Sequence, residues 1–251
     1  QPPSTVSVTL IDNVTIDIAP TALSHTAFTT ADSSITTSNL VSFTVALGVT
    51  SFTEIPDAAF SSCPELVSVD IPDSVTSIGN SAFFHCTSLT SVVIPNSVTS
   101  IEAAAFILCS NLTSVDIGNS VTSINAGAFI QCSSLVSVEI PSSVAVIESA
   151  VFQYCAALTS VTFIQSATSL IFQGTVFLYT PLYDEMTSSG IVPEHSYDGT
   201  NVTIDRSSGS VTITDGMQPP PVSVTLTSGD VIDISPTALS HAAFTAADSS
   251  I

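Results

Sequence analysis

The sequence predicts a strand-dominated α/β solenoid joined to a small all-β connecting unit. Three observations carry that expectation. Cysteine returns at one fixed interval from Cys63 to Cys155, and several rows of apolar residues return in step with it. A far longer periodicity overlies both, bringing the opening strand sequence back near the end of the chain. Such self-similarity marks a chain that stacks one supersecondary unit on the next, because a single unit cannot bury its own apolar face.

The short repeat runs through Cys63, Cys86, Cys109, Cys132 and Cys155. Phe60, Phe83, Phe106, Phe129 and Phe152 keep the same step, as do Leu66, Leu89, Leu112, Leu135 and Leu158. Val69 to Val161 and Ile71 to Phe163 follow in parallel, with a last row at Ile78, Ile101, Ile124, Ile147 and Leu170. A period in the range of about 20–29 residues with this apolar pattern indicates a leucine-rich solenoid. By strand alternation Leu66, Val69 and Ile71 point inward while Ser68 and Asp70 point out. Pro72, Pro95 and Pro141 close the strand, since proline cannot continue a ladder. Residues 81–86 are too few for a long helix and are expected to form one helical or 3₁₀ turn.

The unit Ile71-Pro72-Asp73-Ser74-Val75-Thr76-Ser77-Ile78-Gly79-Asn80-Ser81-Ala82-Phe83 resembles the BspA-type leucine-rich repeat family, over roughly residues 40–180. The resemblance implies a surface or secreted protein of a microbe, often an adhesive one, and names no ligand. The end coils are irregular. Leu170 to Phe177 is two residues longer than Ile147 to Phe152, Thr180 stands in the cysteine row, and Val45 to Ile55 is three longer than Ile71 to Ile78. Residues 21–26 align faintly with 81–86, which suggests an earlier coil. Terminal coils are atypical because they cap the core.

In the long repeat, Val6-Ser7-Val8-Thr9-Leu10 recurs as Val222-Ser223-Val224-Thr225-Leu226, and Pro20 to His25 recurs as Pro236 to His241. Between solenoid and restart, Asn201–Asp205 and Ser210–Thr214 alternate with period two around Ser207-Ser208-Gly209, a hairpin pattern. With Val222–Leu226 and Val231–Ile234 they make a four-stranded β unit, spanned by the stiff Gln218-Pro219-Pro220-Pro221. The organisation expected is therefore 1–18 as strands completing a preceding module's β unit, 19–190 as solenoid, 191–235 as the connecting unit and 236–251 as the next solenoid's start. Two strands alone are marginal in water, so the first hairpin is expected to find its partner strands in a preceding module. On this reading the segment is one period, plus an overlap, of a longer tandem or head-to-tail array. A leader peptide would lie outside it or have been removed.

Composition narrows the function. Of 251 residues, 45% are hydrophobic and only 9% charged; the formal charge is −20, with Arg206 the single base. Nucleic acid and anionic membrane surfaces need clustered Lys or Arg, so neither is an expected partner, and no apolar stretch is long enough to insert in a bilayer. Ser and Thr together make roughly 30% of the chain, far above ordinary usage.

The cysteine ladder reads as buried thiols, as disulfides between coils about 4.8 Å apart, or as metal ligands; five is odd, and no spacing suits a metal. His25 and His241 share one module position, His195 stands apart, and His85, which precedes Cys86 in one coil only, reads as a surface-turn histidine rather than the partner of a Cys–His nucleophile. No nucleophile elbow, phosphate loop or zinc-binding helix motif occurs, so no catalytic residue and no cofactor is expected. Ser68, Asp70, Ser91, Ser114, Asp116, Ser137, Glu139 and Ser160 line an outward, hydroxylated, mildly acidic face. It is either a plain solvated surface or an interaction face for glycans, surface proteins or a neighbouring subunit. Asp12, Asp17, Asp184, Glu185, Asp205, Asp215, Asp230 and Asp233 gather around the β unit, where Ca²⁺ is the ion such carboxylates would take, although no EF-type loop is present. Asn13, Asn111 and Asn201 open Asn-x-Ser/Thr sequons, candidate N-glycosylation sites in a eukaryotic secretory route. The expected function is a non-catalytic, extracellular structural module of a filament, appendage or matrix. A cell-surface adhesin or ligand-binding ectodomain is the alternative.

Overall fold

The computed structural model describes residues 5–46, 48–164, 170–173, 176–178 and 180–181, together with the backbone of four later strands. The chain opens with a hairpin, β1 (Val6–Leu10) and β2 (Thr15–Ile18), turned at Asn13 with φ 62°. A short helix follows, α1 (His25–Ala31), whose cap Ser24 accepts the Ala27 N–H at 3.2 Å. β3 (Leu40–Val45) and β4 (Glu54–Ile55) begin the solenoid. The coils then contribute two strands each: β5 (Ser68–Val69) and β6 (Ser77–Ile78), β7 (Ser91–Ile94) and β8 (Ser100–Ile101), β9 (Ser114–Ile117) and β10 (Ser123–Ile124). β11 (Ser137–Ile140) and β12 (Val146–Ile147), then β13 (Ser160–Phe163) and β14 (Leu170–Gln173), complete them. Beyond lie β15 (Asn201–Ile204), β16 (Val211–Thr214), β17 (Val222–Leu226) and β18 (Val231–Ile234).

Hydrogen bonds stitch the coils together along three sides, as one continuous sheet on the second-strand side and as interrupted pairs on the first. First strands stack in parallel, Ser91 opposite Ser114 and Ser137 opposite Ser160, and second strands do likewise, Ser77 opposite Ser100 opposite Ser123. On the third side Ala104, Phe106 and Leu108 donate to the carbonyls of Ala126, Ala128 and Ile130 at 2.8–2.9 Å. That side is not the helical turn expected at 81–86. Ala58, Ser81, Ala104, Gly127 and Ala150 form one row of left-handed residues, and Ser62, His85, Leu108, Gln131 and Tyr154 a second, with φ between 52° and 65°. A left-handed residue at every fourth position stops a right-handed helix and turns the amides toward the neighbouring coil.

The core is a continuous column of apolar side chains, with every cysteine and every Phe of the repeat fully buried. Phe43, Phe60, Phe83, Phe106, Phe129, Phe152 and Phe177 stack with centroids 4.8–5.6 Å apart and ring planes within 17°. At the head Phe28 of α1 meets Phe43 and Phe60 edge-on, and at the tail Phe172 meets Phe177 edge-on. Threonine hydroxyls reach back one coil: Thr99 Oγ1 to Thr76 O at 3.4 Å, Thr122 Oγ1 to Thr99 O at 3.1 Å, Thr113 Oγ1 to Thr90 O at 3.0 Å. The hydroxyl-rich composition thus helps satisfy turn carbonyls.

The ends depart from the sequence expectations. Of the faint early coil, residues 21–24 lead into α1 and 25–26 begin it; one coil-type bond remains, His25 N–H to the Ala59 carbonyl at 2.7 Å, and the helix lays Phe28 over the column. The β1–β2 hairpin does not wait for a preceding module: β1 pairs β3 antiparallel, Val8 opposite Phe43, because β3 has an open edge on that side. Ile147 pairs with Phe172, not Leu170, so the two extra residues precede the strand and the 147-to-152 spacing is kept at 172-to-177. Nor do β15 and β16 form a hairpin. β15 pairs β14 and β16 pairs β13, each sealing one edge of the last coil, while β17 adds to β15 and β18 to β17. The all-β unit therefore extends the solenoid's own sheets.

Truncating Phe106 to Ala in mid-column is expected to lower the unfolding free energy by about 3–5 kcal/mol in urea denaturation. The left-handed rows make opposite predictions for two small changes. Ala104→Gly is expected to stabilise by up to ~1 kcal/mol, and Gly127→Ala to destabilise, since its added Cβ would also lie 2.7 Å from Ile130 Cδ1.

Candidate functional site

The outward face of the first-strand side carries the predicted interaction residues. Ser68, Ser91, Ser114, Asp116, Ser137 and Glu139 are exposed; Asp70 and Ser160 are half-buried. Asp70 is also engaged: its carboxylate accepts the Val45 N–H at 2.9 Å, tying the end of β3 to the next coil. Val93 interrupts the polar row and is 62% exposed.

At the strands' C-terminal ends Asp70, Val93, Asp116 and Glu139 border an open groove of about 660 Å³, which the serines of the predicted face do not line. Asp70, Asp73, Asp116 and Glu139 supply its carboxylates and Val93 an apolar spot. Gly118 lets two coils meet backbone to backbone there; a Cβ would lie 2.5 Å from Pro95 O. Asp73, Asn96 and Asn119 also line the groove, and strand alternation does not find them because they sit on the turn. Their signal was present as a polar residue directly after Pro72, Pro95 and Gly118. Asn119 donates its N–H to Asn96 Oδ1 at 2.7 Å, which ties these two turns together. No Lys or Arg occurs among the described residues, so nothing there neutralises these carboxylates and the groove favours cationic or hydroxylated groups.

The other candidates are dispersed. Among the described residues no three His, Cys, Asp or Glu converge as metal ligands. Asp12 accepts the Val14 N–H at 3.2 Å and Asp17 the Ser7 hydroxyl at 2.5 Å. Asp184, Glu185, Asp205, Asp215 and Asp230 lie outside the described residues, as does the side chain of Asp233. His25 is half-buried at the start of α1, 3.2 Å from Thr29 Oγ1, and burial lowers its pKa. His85 is an exposed left-handed turn residue; His195 and His241 lie outside the described residues. Asn13 is exposed on the hairpin turn and Asn111 on a coil edge, while Asn201 begins β15.

The five thiols are unpaired and fully buried. Cys86, Cys109, Cys132 and Cys155 each donate to the carbonyl of the preceding coil's phenylalanine, at 3.1–3.2 Å from Sγ to oxygen. Burial pushes Cys63, Cys109 and Cys155 up to about 12, and raises Cys86 and Cys132 as well. A raised folded-state pKa means that the native state keeps its protons longer than the unfolded chain. Stability is therefore intact below about pH 9 and falls between there and about pH 12, by about 1.4 kcal/mol per pH unit for each thiol. Urea titrations across that range should show the slope, and Cys109→Ala should reduce it by one thiol's share. Thiol labelling is expected to find none of the five natively and all five in denaturant.

A BspA-type leucine-rich repeat region, in six copies, matches residues 53–181. No curated protein matches the chain. Among solved structures, a T. pallidum leucine-rich repeat protein is 29% identical, with a TM-score of 0.39 over 43% of this chain and 61% of that one. A Bacteroides ovatus leucine-rich repeat protein is 27% identical, with a TM-score of 0.42 over 52% of this chain and 33% of that one. A leucine-rich cell surface protein of Faecalibacterium prausnitzii is 41% identical, with a TM-score of 0.42 over 45% of this chain and 31% of that one. The chain thus spans less than two thirds of each of these proteins. With the repeat rows, the stacked coils and a family match over half its length, the chain belongs to the BspA-type leucine-rich repeat family.

Proposed function

We propose that this chain is a non-catalytic structural module of an extracellular filament, appendage or matrix, joined to its like in tandem or head to tail. The observation that carries the reading is the return of the β1–β2 hairpin as β17–β18, in the same register. The returning hairpin is bonded through β15 to the last coil, so the second-strand sheet carries on into the hairpin that opens the next repeat. An unbroken sheet is what a load-bearing joint between modules needs. A single Arg leaves trypsin one site, which suits a protein outside the cell. Among the described residues no helix is long and apolar enough to cross a membrane.

The acidic groove favours a second reading, a cell-surface adhesin or ligand-binding ectodomain whose partner is a glycan or a surface protein. Electron microscopy of the native protein separates the two. Ordered filaments with an axial repeat support the structural module; isolated rods at a membrane support the adhesin. At −20 per segment the modules repel one another, so assembly is expected to strengthen as salt is raised. Sedimentation across a NaCl series checks this, and stronger association in dilute buffer would contradict it.

A further inference from the structure

The two copies of the hairpin differ in what they bind. We propose that the β1–β2 hairpin of one copy closes the β15 edge of another, so that copies associate by exchanging an end hairpin. The exchange supplies a joint for the tandem or head-to-tail module of the proposed function and rests on that reading for its use.

A strand has two bonding edges. One edge of β1 is taken by β2, with Val6 opposite Ile18 and Val8 opposite Ile16. One edge of β17 is taken by β18, with Val222 opposite Ile234 and Val224 opposite Ile232, the repeat counterparts of those same pairs. The remaining edges of β1 and β17 are therefore the same edge of the same hairpin. In the first copy that edge pairs antiparallel with β3, Thr9 opposite Ser42. In the second copy it pairs antiparallel with β15, Thr203 opposite Thr225, the counterpart of Thr9. One edge thus has two receptors within a single chain, at opposite ends of the solenoid.

An edge binds one strand at a time, so the two receptors compete for each hairpin. An unfilled receptor is a row of free amides and carbonyls, which takes up another strand readily. A second copy of this chain is the fitting occupant, because its head strand Val6-Ser7-Val8-Thr9-Leu10 is identical to the strand β15 already holds. Exchange of an identical element between copies needs no new surface, only the opening of the old contact.

The test uses two full-length variants unfolded together and refolded as a mixture in moderate salt under mild oxidation. The acceptor carries Thr203→Cys and Val224→Pro, the proline breaking β17 and leaving β15 unfilled. The donor carries Thr9→Cys. The expected result is a disulfide between positions 9 and 203 of different chains, identified by mass spectrometry, and its loss when the donor also carries Val8→Pro. Labelling of only one thiol per acceptor shows that its solenoid has folded; a folded acceptor that forms no 9–203 link at any concentration overturns the proposal. If the proline variant fails to fold, Thr203→Cys alone is refolded with the donor, and absence of the link there overturns it equally. Filaments by microscopy without the link sink the exchange and spare the module reading; the link without filaments does the reverse.

Discussion

Backbone hydrogen bonding from coil to coil is the constraint on which the rest of the structure depends. The second-strand ladder runs unbroken from β4 to β14 and the third side repeats its bonds from coil to coil, so each coil must present its amides at the same height on both. A coil of another length would break at least one ladder, so the interval from one cysteine to the next never varies between Cys63 and Cys155. The departures lie where only one neighbour has to be matched. Three residues are added between β3 and β4, and two between β13 and β14, in the first and last coils. Between those points the inward rows are held nearly constant while the outward ones vary freely.

That division explains what was legible in the sequence. The Phe, Leu, Ile and Cys rows could be read directly, because burial restricts each to a few residue types and every coil repeats the same signal. The left-handed rows could not. Apart from Gly127 they are filled by Ala, Ser, His, Leu, Gln and Tyr, too mixed a set to announce a positive φ, and the bonds of the third side impose the conformation against local preference. The Leu170 misplacement has a similar origin: Leu170 and Phe172 are both buried, so pattern alone offers two registers and only the ladder chooses.

Pairing partners at the ends escape the sequence for a different reason. Alternation identified the strands at 6–10, 201–204 and 211–214 correctly, but alternation says nothing of which edge a strand will find. Nearness in sequence favoured a hairpin for β15 and β16; two open edges on the last coil took them apart. The interaction face is legible on the strands and not on the turns, so the sequence yields Asp70, Asp116 and Glu139 but not Asp73, Asn96 and Asn119. The groove combines both sets, and its character comes from the absence of any basic side chain among the described residues as much as from the acids present.

The closures at the two ends of the phenylalanine column bear on how such a chain can change its length. Stoppers stand at both: at the head Phe28 presents its edge where a further coil would have to offer a parallel ring, and at the tail β15 and β16 run antiparallel where a further coil would have to offer parallel strands. A duplicated coil slots between two existing ones with every contact preserved, whereas one appended outside a stopper meets the wrong geometry. Growth of this solenoid is therefore confined to its middle, and its two termini travel outward intact, however many coils come to lie between them.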